Sequence, residues 1–148
     1  MSRENTLDRI LYGYFLEQLF STLCGRLDKL LSVLMLILGS SVVLNVNPFT
    51  AGVAIVIISA IQTTYEFGKK SGEARRKSME YLSLFDDESA YNDGALKIKL
   101  SELEKTDNNP WSSLKPVALL KTQIKIGVPV KDREQLPRLS RFIRILCG

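Results

Sequence analysis

The sequence predicts an all-α membrane protein: a two-helix transmembrane hairpin preceded by an N-terminal amphipathic helix and followed by a helical cytoplasmic extension. Three observations point there. The 148-residue chain holds 20 Lys and Arg and 16 Asp and Glu, yet none of them falls between Leu30 and Tyr65. Inside that run stands Asn47-Pro48, a helix-start signal. Basic residues crowd both ends of the run and are missing from its middle.

Residues 1–27 read as a cytoplasmic amphipathic helix. Leu7, Ile10, Leu11, Tyr14, Phe15 and Leu19 recur at helical spacing over about Thr6 to Cys24 and make one apolar stripe. Such a stripe packs on another helix, the commoner fate, or lies in the membrane interface with Tyr12, Tyr14 and Phe15 at headgroup level. A signal peptide is not expected, because Met1 to Lys29 carries eight charges and no short apolar region ending in a cleavage site.

Residues 28–67 read as the hairpin. As one helix, Leu30 to Tyr65 would extend ~54 Å, well beyond a hydrocarbon core of about 30 Å. Asn47 as N-cap and Pro48 as first helical residue divide it, and Asn45 adds turn chemistry on the other side of Val46. The prediction is a first span from about Asp28 to Leu44, a turn at Asn45 to Asn47, and a second span from Pro48 to about Phe67. A re-entrant hairpin that never reaches the far face is the alternative. Arg26 and Lys29 precede the first span, and Lys69, Lys70, Arg75, Arg76 and Lys77 follow the second, so both termini are expected in the cytoplasm of a bacterial-type inner membrane. Cys24 and Cys147 then lie on the reducing side and form no disulfide framework.

Residues 68–148 read as a helical cytoplasmic region. The second span is expected to continue as a single helix from Pro48 to about Leu84, supported by i,i+4 charge pairs Glu66–Lys70, Glu73–Lys77 and Arg76–Glu80. ALKIKLSELEK, Ala95 to Lys105, fits both a strand and a helix through Leu96, Leu100 and Leu103, and its helical surroundings favour the helix. TDNNPW is a turn, after which Ser113 is expected to cap a helix that contains Pro116, runs to about Ile126 and stops at Gly127 and Pro129. The tail PRLSRFIRILCG sets Arg138, Arg141 and Arg144 beside Leu139, Phe142, Ile143 and Leu146 as a short basic amphipathic helix. Those arginines suit lipid headgroups as well as they suit contact with a subunit or partner or a plain solvated charged face. Nucleic acid is not expected, since Glu66 to Gly148 mixes 16 basic with 12 acidic residues and carries no nucleic-acid motif.

Catalysis is not expected either. The chain has no histidine, the commonest general base and metal ligand, and no Gly-rich phosphate loop, H-E-x-x-H or C-x-x-C. Asp86, Asp87 and Glu88 in FDDES read as a solvated helix end before a cation site, so no cofactor or metal is predicted. What chemistry there is lies in the membrane helices. Ser32 and Gly39, like Gly52 and Ser59, are small residues seven apart that let another helix approach closely. Ser59, Gln62, Thr63 and Glu66 form a polar face that either bonds to a neighbouring helix or lines a water-filled path in a homo-oligomer.

An amphipathic helix ending near GRLDKLL, a closely spaced membrane hairpin, and a long basic helix reading YEFGKKSGEARRKSMEYLSLF together resemble the SLATT family of bacterial two-transmembrane effector domains, over about Leu7 to Leu103. The basis is arrangement, with no motif residue carried over. The resemblance implies a homo-oligomer in the inner membrane that permeabilises the bilayer in antiviral or conflict systems when a separate sensor or regulator protein signals. A phage-encoded holin or superinfection-exclusion protein, and a non-pore scaffold recruiting a cytoplasmic partner, fit the same outline.

Overall fold

The structure, a computed structural model, describes residues 3–40, 47–107, 110–129, 131, 136–137, 140–141, 143 and 145. All regular structure among these is helical: α1 (Arg3–Gly39), α2 (Pro48–Tyr65), α3 (Phe67–Asp86), α4 (Asp93–Lys105) and α5 (Lys115–Lys125), with 3₁₀ turns at Glu88–Ala90 and Ser112–Leu114. Asn45 and Val46 of the expected turn, the far end of the first span at Leu44, and Arg138, Arg144 and Cys147 lie outside the described residues.

The amphipathic stripe and the apolar segment after it, expected as two elements meeting near residues 27 and 28, form one helix. No proline or capping residue interrupts the chain there, so the 37 residues of α1 run on for about 55 Å. The next two helices return along α1 in the opposite direction. Met35 meets Ser59, Asp28 meets Gln62, Ser21 meets Ser71, and Gly13 meets Tyr81.

The return path is not the single helix expected from Pro48 to Leu84. It breaks at Glu66, which takes a left-handed conformation (φ 46°, ψ 45°) between α2 and α3. The contact stripe explains the break. Ser59 and Gln62 face α1, and an unbroken 3.6-residue period would continue that face through positions 66, 70 and 73. The residues that actually turn inward are Phe67, Ser71, Ala74, Ser78 and Tyr81, one position later. The left-handed residue at Glu66 stands at the point where the inward stripe slips by one position.

Two apolar clusters flank the α1–α3 pair. On one side Leu19, Phe20, Leu23 and Cys24 of α1 join Phe67 and Ala74 of α3 and Leu114, Val117 and Ala118 at the start of α5. Ile143 from the tail completes this cluster, and Ser140 anchors the tail by donating to the Ser113 carbonyl at 2.9 Å. Ser113 therefore serves the fold through its backbone; no side chain caps α5, contrary to expectation, because the 3₁₀ turn leads directly into the helix. Gly127 (φ 81°) ends α5 as its conformational freedom predicts. On the other side Ile10, Tyr81 and Leu84 meet Leu96 and Leu100 of α4. The helical reading of Ala95 to Lys105 is thus correct, with Asn92 capping it through a bond from Ala95 N at 2.8 Å.

Polar contacts lock α4 against the older helices. Arg3 donates to the Glu88 carbonyl (2.6 Å), the Tyr91 carbonyl (3.2 Å) and Asp93 (2.9 Å), tying FDDES and the turn after it to the start of α1. Arg9 binds both oxygens of Glu104 at 2.7 Å. Of the three expected charge pairs only Arg76–Glu80 forms, at 3.7 Å. Glu66 meets Lys69 in place of Lys70, since the bend reorients its side chain. Lys77 turns away from Glu73 into the protein, where it donates to the Leu103 carbonyl (3.2 Å) and Thr106 (2.5 Å) and pairs with Asp107 (3.5 Å). The Tyr81 hydroxyl also donates to Asp107, at 2.7 Å. Burial, then the bond and charge of Asp107, push the Tyr81 hydroxyl far above its ordinary ionisation range, so it stays a donor at any physiological pH.

Gly13 exists to admit Tyr81. A Cβ on residue 13 would lie 2.7 Å from two carbons of the buried Tyr81 ring, whereas one on Gly72 would meet nothing within 4 Å. Gly13→Ala should therefore cost about 1–3 kcal/mol by overpacking, while Gly72→Ala should gain roughly 0.5–1 kcal/mol from helix propensity. Thermal unfolding of the two variants side by side checks the opposite signs.

Candidate functional site

The polar face predicted on α2 becomes a seam between α2 and α1. Ser32, one turn beyond Asp28, donates its hydroxyl back to the Asp28 carbonyl at 2.9 Å, a local bond open to serine inside a helix. Gln62 then donates to the Ser32 hydroxyl at 3.1 Å and to the same Asp28 carbonyl at 3.4 Å. One helical turn further along, Ser59 donates to the Met35 sulfur at 3.2 Å. The directions are consistent, because a serine that has given its proton to a carbonyl still accepts through its lone pairs.

The four predicted residues thus divide. Ser59 and Gln62 turn toward α1 and are half-buried, while Thr63 and Glu66 stay exposed, Glu66 paired with Lys69 at 3.5 Å. The small residues divide as well. Ser32 sits at the seam, but Gly39 and Gly52 are exposed with open space where a Cβ would go. Of the seam partners on α1, Ser32 was legible in the sequence but two were not: Met35 looks like any other apolar residue of the run, and the Asp28 contribution is a backbone carbonyl.

Around the seam the surface is apolar. Ala51 is the only buried residue of α2, and its large side chains face outward, Phe49 being 77% and Val56 68% exposed. The last turns of α1 do the same, with Leu36 72% exposed. Among the described residues one helical stretch, Pro48–Asp86 taken through the bend, is long and apolar enough to cross a membrane. The bend itself marks the change of character. Tyr65 stacks on Phe67 (centroids 5.4 Å apart, planes 8° apart), yet Tyr65 is exposed and Phe67 buried, and Lys70 approaches the Tyr65 ring at 5.9 Å. Of the three tail arginines, Arg141 is described and is exposed, while the neighbouring Ile143 is taken into the core. Among the described residues no group of three or more metal-ligating side chains comes together.

Comparison with protein-family models, with curated proteins and with solved structures finds no match.

Two outcomes follow from the seam geometry. Gln62→Leu removes both bonds to α1 and should loosen α2 from α1 by about 0.6–2 kcal/mol, read as faster amide exchange over residues 48–65 with α3–α5 unchanged. Glu66→Gly should raise stability by roughly 1 kcal/mol, because glycine adopts the left-handed conformation without the steric cost a Cβ imposes. A fall in melting temperature for Glu66→Gly would mean that the Glu66 side chain outweighs the strain.

Proposed function

We propose that the chain is an integral membrane protein whose α2 and the last turns of α1 form a two-span hairpin, with both termini and α3–α5 in the cytoplasm of a bacterial inner membrane. The observation that supports it is the ring of exposed apolar side chains around α2, together with a charge-free sequence from Leu30 to Tyr65. Water would make such a surface aggregate, whereas a hydrocarbon core solvates it. The seam fits the same setting, since polar side chains in hydrocarbon stay only where another helix satisfies them. Cationic residues on both sides of the hairpin's base support the cytoplasmic placement.

Within that frame we propose a homo-oligomeric effector that permeabilises the membrane under the control of a separate partner, in keeping with the SLATT-like arrangement. Gly39 and Gly52 support self-association: both are exposed, and both leave room for a second helix to approach. A scaffold that makes no pore is the second reading. It is favoured by the internal pairing of Ser59 and Gln62, which leaves only Thr63 and Glu66 of the four-residue polar face turned outward.

One experiment separates these readings. A Cβ at Gly52 meets nothing within 4 Å among the described residues, so Gly52→Leu should leave helix content and melting temperature unchanged while weakening association. Overproduction of the wild type should depolarise cells, and Gly52→Leu should restore the potential at equal membrane abundance. A membrane-inserted wild type that leaves the potential untouched sinks the permeabilising reading and favours the scaffold. For sidedness, Phe49→Cys should label with an impermeant thiol reagent from outside and Lys97→Cys should not, in a Cys24→Ser background. Native Cys24 is a poor reporter, because it is 1% exposed and protected by packing whichever side it occupies.

A further inference from the structure

The face of the α1–α3 pair left uncovered by α4 and α5 is a groove of about 710 Å³. Its floor is made of small residues. Ser21 and Ser71 exchange hydroxyl-to-carbonyl bonds at 2.8 Å, and Gly72 has nothing within 4 Å of a Cβ position. Three cations, Arg26, Lys29 and Arg75, stand at its rim, and no carboxylate lines it. The Asp28 carboxylate lies 3.3 Å from a Cβ position on Gly68, a residue of the groove lining. Arg26, Lys29 and Arg75 form no ion pair among the described residues, although the same chain pairs Arg3, Arg9, Arg76 and Lys77 with acids. The groove hydroxyls of Thr22 and Ser78 are also committed, donating to the Gln18 and Arg75 carbonyls. The groove therefore presents three unpaired cations along its length, with Tyr14 and Gln18 also in its lining.

The surroundings narrow the ligand. Lys29 is the last charged residue before the run that begins at Leu30, and Leu30 and Val33, one turn on from Arg26 and Lys29, are 55% and 53% exposed. A cationic groove thus passes directly into an exposed apolar surface on the same helix. That sequence of surfaces matches a molecule with an anionic head and a hydrocarbon tail. We propose that the groove binds the phosphate group of an anionic phospholipid of the cytoplasmic leaflet, with Arg26 and Lys29 next to the apolar run holding the phosphate, Arg75 adding positive charge farther along the groove, and α1 beyond Leu30 receiving the acyl chains. The proposal rests on the membrane reading above.

The test uses the full chain in a neutral detergent, titrated with dioleoyl phosphatidylglycerol, with dioleoyl phosphatidylcholine, or with inorganic phosphate. Bound adducts are counted by native mass spectrometry, and the melting midpoint is followed in parallel. Phosphatidylglycerol should form a saturable adduct and raise the midpoint, and phosphatidylcholine should not. Each cation replaced by glutamine should weaken binding about fivefold, so Arg26→Gln/Lys29→Gln/Arg75→Gln should abolish the adduct. A charge-matched control at exposed sites elsewhere, Lys97→Gln/Lys105→Gln/Lys125→Gln, should bind like the wild type. Equal losses in the two triple variants would overturn the groove as the site. Equal saturation by inorganic phosphate would overturn the lipid as its source. The same cells are fractionated. Protein in the membrane fraction whose lipid binding ignores the three cations defeats this proposal alone, and protein in the soluble fraction defeats the membrane reading and the lipid source with it.

Discussion

The close crossing of α1 and α3 is the constraint on which the rest of the molecule depends. Ser21 and Ser71 each give a hydroxyl proton to the other's backbone carbonyl, and Gly25 leaves only 2.9 Å between a Cβ position and the Ser71 hydroxyl. Larger residues would hold the helices apart, and lone serines would bury unpaired hydroxyls; small residues with reciprocal bonds solve both problems together. Both apolar clusters are built on the two flanks of this pair, so its spacing sets where α5 can dock on one side and α4 on the other. Tyr81 shows the precision required, since its ring fits only over Gly13 and its hydroxyl must still reach Asp107.

The left-handed residue at Glu66 joins two packing problems that have different answers. α2 meets α1 through a few polar atoms and leaves its apolar surface outward, whereas α3 meets α1 through a buried stripe. An unbroken helix would satisfy one face at the expense of the other. Strain of about 1 kcal/mol at a single residue is small beside the burial of Phe67, Ala74, Tyr81 and Leu84 that the slip permits. The bend also separates the two chemistries of the chain, an apolar half and a half rich in charge, and the groove of unpaired cations lies on the charged side of that boundary.

Several elements were legible because their signals are local. Asn47 and Pro48 begin α2 as their capping chemistry requires, with the Asn47 side chain accepting from Phe49 N at 3.0 Å. The stripe from Ile10 to Leu19 buries against helices, and Leu96 and Leu100 place α4. The charge pairs expected on α3 misled because i,i+4 spacing is blind to what lies across the helix. Lys77 finds a carbonyl, a hydroxyl and a carboxylate at the end of α4, a fully bonded pocket that outcompetes a solvent-exposed Glu73. Ser113 was misread for a related reason: its hydroxyl suggests a cap, but its carbonyl is what the tail uses.

By itself the sequence determined the helical class, the charge-free segment and the helix start within it, because each depends on residue type and spacing along a single stretch of chain. Only the tertiary structure decided that α1 is continuous, that the return path breaks at Glu66, and that Ser59 and Gln62 close onto Met35, Ser32 and the Asp28 carbonyl. It also brought Arg26 and Lys29 of α1 into the lining of one groove with Arg75 of α3, residues nearly fifty positions apart, with no acid among its lining residues. The physical reason is common to all four. Each turns on which face of one helix meets another, and that face is set by the rotation of rigid rods at close contact, which no local pattern encodes.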